Sequence, residues 1–121
     1  MGIFSKIKSL LKTKTESEIR DFKEQIKEKY NFIDFLYATS EGLPIMGTFS
    51  DCEEVSAKLP ELVKLLRQFE ISEYYEIVTR NVVYIVVRIT DDVLMFAEGR
   101  KLLTSRDIED LIYETRRELK I

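Results

Sequence analysis

The stretch NVVYIVVRITDDVLMF, residues 81–96, decides the fold: two β-branched and aromatic runs joined at Thr90-Asp91-Asp92. Each run is too short to cross a bilayer and too apolar for a loop, so the pair predicts a hairpin at the centre of a sheet. Alternate positions are apolar on both sides of each strand, which requires helices on both faces of that sheet. Asp is favoured in hairpin turns for backbone reasons, so the acidic pair Asp91-Asp92 reads as turn chemistry before metal chemistry.

Beyond the hairpin, Gly99-Arg100-Lys101 leaves the sheet and Thr104 or Ser105 caps a last helix, whose buried side carries Ile108, Leu111, Ile112, Thr115 and Leu119. Before it, residues 72–79 form a third strand around Tyr74, Tyr75, Ile77 and Val78. Arg80-Asn81 is the two-residue turn between them, Asn tolerating positive φ. Further back, Val55, Leu59, Leu62, Leu66 and Phe69 hold a helical stripe straight through Pro60, predicting one kinked helix over residues 51–69. Ser50-Asp51-Cys52-Glu53 has the form of a capping box at its start. Val63 and Leu65 widen the stripe beyond what one sheet face needs.

Residues 32–39, FIDFLYAT, are apolar on both faces apart from Asp34, as a strand covered on both sides should be. Asp34 is expected near the strand end or toward solvent. Ser40-Glu41-Gly42 turns the chain, and residues 43–49 return as a second strand, which Pro44 places at a sheet edge or starts. Upstream, Thr15-Glu16-Ser17-Glu18 is a capping box opening a charged helix with Ile19, Phe22, Ile26 and Tyr30 on its one apolar stripe.

Residues 1–14 stand apart. Ile3, Phe4, Ile7, Leu10 and Leu11 fall within an arc of about 120° on a helix, with Lys6, Lys8 and Lys12 on the polar side. This is the pattern of an in-plane membrane helix whose lysines meet anionic lipid; the same pattern suits a helix packed on its own domain or on a second subunit. The four lysines of this segment carry +4, leaving −7 on the remainder of a chain whose net charge is −3. Lys6 stands where a myristoylation motif wants Ser or Thr, and no signal peptide is expected.

With 121 residues, 45% of them hydrophobic, the chain suits one domain with one core, and its net negative charge argues against nucleic acid as partner. Cys52 is the only cysteine, which rules out an intrachain disulfide and suits a reducing, cytoplasmic compartment. The absence of histidine removes the commonest general base and a common zinc ligand. No phosphate-binding glycine loop occurs, since Gly2, Gly42, Gly47 and Gly99 stand apart. The expectation is a non-enzyme with no catalytic residues, cofactor or metal. Abundant Lys, Glu and Ile without Trp or His is compatible with a thermophile.

The fold class that follows is an α/β sandwich: a five-stranded, mainly antiparallel sheet with helices on both faces, in the order α-β-β-α-β-β-β-α, preceded by the extra basic helix. In that order the strand at 32–39, the Ser40-Glu41-Gly42-Leu43-Pro44-Ile45 turn, the helix at 51–69 and the 82–96 hairpin with its terminal helix resemble the roadblock family, the superfamily of dynein light chains and small-GTPase regulators, in a prokaryotic or archaeal member. The resemblance covers about residues 16–119, so residues 15–121 are the roadblock-like domain and 1–14 an addition; longin domains of trafficking proteins have a similar element order. The resemblance implies a dimer in which third strands pair through Tyr74, Tyr75 and Ile77 while middle helices pack through Val55, Leu59, Leu62 and Leu66. It further implies a regulator or scaffold that binds a Ras-like small GTPase, at the inner membrane face if the basic helix meets lipid. A longin-like adaptor and a small-molecule sensor with a pocket at Tyr84 are the alternatives.

Overall fold

The computed structural model describes residues 2–121, the side chains of Ile3 and Phe4 lying outside the described set. The elements are α1 (Ile3–Thr13), α2 (Glu16–Tyr30), β1 (Phe32–Thr39), β2 (Pro44–Gly47), α3 (Cys52–Phe69), β3 (Tyr74–Val78), β4 (Val83–Arg88), β5 (Val93–Gly99) and α4 (Ser105–Leu119). The strands form one sheet in the order β2-β1-β5-β4-β3, and every neighbouring pair is antiparallel. The 81–96 hairpin therefore supplies the middle strand and its neighbour, and β1 closes the other side of β5.

The period of two in β4 and β5 sorts their side chains between two cores. Val83, Ile85, Val87, Val93, Met95 and Ala97 join Phe22, Ile26, Ile108 and Leu111 on the α2 and α4 face. Val86 and Leu94 join Leu36, Ala38 and Leu59 under α3. In the first core the Tyr37 hydroxyl meets Thr115 Oγ1 at 2.7 Å, one buried polar group satisfying another. Burial raises the Tyr37 phenol, which stays protonated.

Caps and turns follow the sequence in part. Thr104 and Asp107 make a complete capping box at α4, whereas at α2 Thr15 accepts from Glu18 N. The box expected at 50–53 does not form: Asp51 is the cap of α3, with no side-chain hydrogen bond. Its φ of −109° and ψ of 40° lie outside the extended backbone seen at the Thr15 and Thr104 caps, where the hydroxyl reaches back to the third amide. Arg80 and Asn81 do form the turn closed by Thr79 N to Val82 O at 2.9 Å, but Asn81 does not use positive φ. The second strand is shorter than residues 43–49, spanning Pro44–Gly47. A β carbon on Gly47 would stand 2.6 Å from Leu36 Cβ and 2.7 Å from Phe35 O, so only glycine lets this strand approach β1.

Gly42, at φ +94°, turns the chain back beneath α3, where a side chain would meet Ser56 O at 3.1 Å. Pro60 lies inside α3 and cannot donate to that same Ser56 carbonyl, four residues before it. Asp34 is half-buried near the start of β1 and accepts from Thr48 Oγ1 at 2.8 Å.

Candidate interaction face

The α3 side of the sheet is only partly roofed. One helix crosses β1 and β2, and where β5 and β4 emerge a groove of about 310 Å³ lies between Val55, Leu59 and Leu62 on α3 and Tyr84 and Phe96 on the sheet, with Lys58 at its rim. Phe96 stacks between Phe49, at 5.8 Å between ring centroids, and Tyr84, at 5.6 Å and nearly parallel. Offset stacking of this kind makes a stiff apolar platform.

Beside the groove lies the free edge of the sheet. Arg88 N donates to Glu73 O and Thr79 N to Val82 O, so the alternation of an antiparallel ladder turns the Tyr75 and Ile77 amides toward β4 and those of Glu76 and Val78 outward. Ser72 Oγ engages both the N–H and the C=O of Tyr74, which leaves Glu76 and Val78 as the open part of the edge. Large apolar side chains are exposed on β3 and on the segment that leads into it from α3: Val78 is 65% exposed, Ile71 76%, Phe69 83% and Leu65 52%.

The residues predicted for an interface divide accordingly. Val55, Leu62 and Leu66 are half-buried on α3, beside the groove or close to it. Leu59 is buried against the sheet of its own chain and reaches the groove only as lining. Ile77 is half-buried on the edge strand, while the two tyrosines are tied inside the chain: Tyr74 Oη lies 3.3 Å from Ser105 Oγ, and Tyr75 Oη donates to Glu70 O. Phe69, read in the sequence as the last member of the α3 stripe, is instead exposed, because the helix ends there beyond the sheet edge; Ile71 was not singled out, although an isoleucine between a helix and an edge strand is a readable signal.

The basic helix lies at the opposite edge. Ile7 is 1% exposed and belongs to the α2/α4 core, Leu11 packs against that core, and Lys14 Nζ meets Glu118 Oε1 at 3.2 Å. Leu10 is half-buried; Lys6, Lys8 and Lys12 face outward. Of the expected membrane stripe, Ile3 and Phe4 have side chains outside the described residues, and Ile7 and Leu11 are occupied by their own domain. No helix among the described residues is long and apolar enough to cross a membrane. Burial pushes the Cys52 thiol up, disfavouring a thiolate, and among the described residues no cluster of three potential metal ligands occurs.

The architecture matches solved structures closely enough to decide the fold. Myxococcus xanthus MglB superposes with a TM-score of 0.65 over 88% of this chain and 94% of its own, at 9% identity. A Roadblock/LC7 domain from Streptomyces avermitilis gives 0.59 over 75% and 88%, at 11% identity. The chain has the roadblock fold. A further structure described as MglB with tetrameric arrangement gives 0.60 over 86% and 84%, at 7% identity. No family model matches the sequence. An uncharacterized protein of Archaeoglobus fulgidus is 29% identical over 111 residues, 89% of this chain, and the chain spans 66% of that relative's length. Within the roadblock fold such low identities are physically reasonable, because the sheet asks for apolar alternation and turn chemistry at set places rather than for particular side chains.

Proposed function

We propose that this chain is a non-enzymatic regulatory or scaffold domain that dimerises through β3 and α3 and binds a Ras-like small GTPase, modulating its nucleotide cycle. The observation that carries the dimer is the open β3 edge lying next to an open apolar groove. An unpaired edge flanked by Phe69, Ile71 and Val78 invites pairing, and a second copy satisfies both features at once. Antiparallel pairing of two β3 edges continues the sheet into ten strands and brings the two α3 helices side by side over the Tyr84–Phe96 platform. A solved neighbour described as MglB with tetrameric arrangement supports self-association of this chain. The GTPase reading rests on the resemblance to the roadblock family.

The dimer is tested by sedimentation of Val78→Pro and Leu62→Glu. Proline at 78 removes an outward N–H without touching the β3–β4 ladder, so it should yield a folded monomer; an unchanged mass for both variants refutes this interface. For the partner, co-purification with small GTPases loaded with GDP or a GTP analogue should show nucleotide-dependent capture, and its absence in both states refutes the reading. A small-molecule sensor would place its ligand in the same groove, which a ligand retained through purification and displaced by Tyr84→Ala would reveal.

Peripheral membrane association belongs to the same proposal. With Ile7 and Leu11 docked, it requires α1 to swing away at Lys14 and Thr15, both extended in backbone. Reversing Lys6, Lys8 and Lys12 to Glu should abolish flotation of the full chain with anionic vesicles; unaltered flotation excludes this helix as the anchor.

A further inference from the structure

At the end of the molecule where α3 passes over the β4–β5 turn, a cleft of about 250 Å³ opens, its polar lining made of Ser40, Lys64, Arg67, Arg88 and Asp91. Lys64 and Arg67 are three residues apart on α3 and so share one face of that helix. Arg88 ends β4 on the side of the sheet that carries Tyr84 and Val86, beneath α3. Ser40 comes from the turn after β1. Three cations from two elements thus converge on one opening in a chain whose net charge is −3.

Their partners are few. Among the described residues, Lys64 and Arg67 make no hydrogen bond or ion pair. Arg88 Nε is shut off from solvent with no hydrogen-bond acceptor. The one acid of the cleft, Asp91, holds its Oδ1 3.9 Å from that Nε, beyond hydrogen-bond reach, and its side chain is 93% exposed, so the pair is weak. Glu73 lies in the adjoining recess, where its backbone carbonyl accepts from Arg88 N. The Arg88 side chain is 33% exposed and only its Nε is shut in without an acceptor, so a guanidinium flanked by two like charges here favours an anion in the opening.

We propose that this cleft binds a phosphate-type oxyanion. Two guanidinium groups offer paired donors that match the edges of a tetrahedral oxyanion, Lys64 adds a compact charge, and the Ser40 hydroxyl can donate to a further oxygen. The phosphate is carried either by a small soluble molecule or by a lipid headgroup.

The test uses the full chain at constant ionic strength. Titration with pyrophosphate, followed through backbone amide resonances, should give saturable shifts confined to residues near 40, 64–67 and 88–91, with chloride giving none. Vesicles of phosphatidylcholine with phosphatidic acid are the second probe, used with the full chain carrying Lys6→Glu, Lys8→Glu and Lys12→Glu so that α1 does not hold the membrane. In Lys64→Ala/Arg67→Ala, whose circular dichroism and melting should match the parent, binding of the responding probe should weaken about tenfold or more. Arg88→Leu, which keeps most of the side-chain volume, should do the same. Pyrophosphate binding lost in these variants assigns a soluble ligand; vesicle binding alone, lost in the same variants, assigns a headgroup. No saturable response to either probe, or binding that survives loss of Lys64 and Arg67, overturns the proposal.

Discussion

Replacing Ile7 by Ala measures how firmly the basic helix belongs to the domain. The side chain is 1% exposed and touches the core shared by α2, α4 and the sheet. Removing its three outer carbons forfeits roughly 2.4 kcal/mol at about 0.8 kcal/mol per buried carbon, and a residual cavity takes large-to-small changes of this kind to about 2–5 kcal/mol. Two features hold the value toward the lower part of that range. α1 packs on the domain as one separate helix, so the loss cannot exceed the free energy with which that helix docks. Its other ties are the half-buried Leu11 and the Lys14–Glu118 ion pair, whose partly exposed setting limits its contribution to about 1 kcal/mol. The expected destabilisation is therefore about 2–3 kcal/mol, read as a lower urea midpoint with an unchanged slope, and amide exchange in residues 5–13 should accelerate. A midpoint indistinguishable from the parent would refute the docking of α1 and return its whole apolar stripe to solvent or lipid.

Gly47→Ala should destabilise by about 1–3 kcal/mol, because the new methyl overlaps Leu36 Cβ and Phe35 O and must push the edge strand off β1; a melting temperature equal to the parent's would refute the close approach. Tyr37→Phe strands the buried Thr115 hydroxyl and should cost about 1–2 kcal/mol in urea unfolding, most of it recovered in Tyr37→Phe/Thr115→Val; a double variant no better than the single would mean the pair does not act as a unit. The Thr104 amide donates to Asp107 and holds its carboxyl below the ordinary value of 3.8. That stabilisation is complete above pH 3.8 and is lost as pH falls through the lower folded value. The stability gap between parent and Asp107→Asn should therefore close in acid, and a gap equal at pH 6 and pH 2 would refute it.

Much of the fold was legible because its signals are local. A run such as Val83 to Arg88 alternates between two cores whatever lies at the other end of the chain, and Thr104 finds its Asp107 within one turn. The misreadings are local signals overruled by backbone geometry. Asp51 has the right neighbours for a capping box but not the extended backbone that lets a side chain reach the third amide. Asn81 sits in its turn without the positive φ that made it attractive there. The candidate interface was legible as a region rather than as a set of residues. Leu59 and Leu65 are equally apolar, yet one lies under the helix and the other is half exposed. Period alone cannot tell how far a sheet extends beneath a helix.

By itself, then, the sequence determined the nine elements, the two-sided sheet and the absence of histidine chemistry, since each depends on residues within a few positions of one another or on composition. Tertiary structure alone decided that β1 sits between β2 and β5, that Ile7 is drawn into the α2/α4 core, that the β3 edge stays open, and that Ser40, Lys64, Arg67 and Arg88 share one cleft. Those outcomes join residues tens of positions apart. They follow from strand pairing and from burial summed over the whole chain, and no local pattern carries that information.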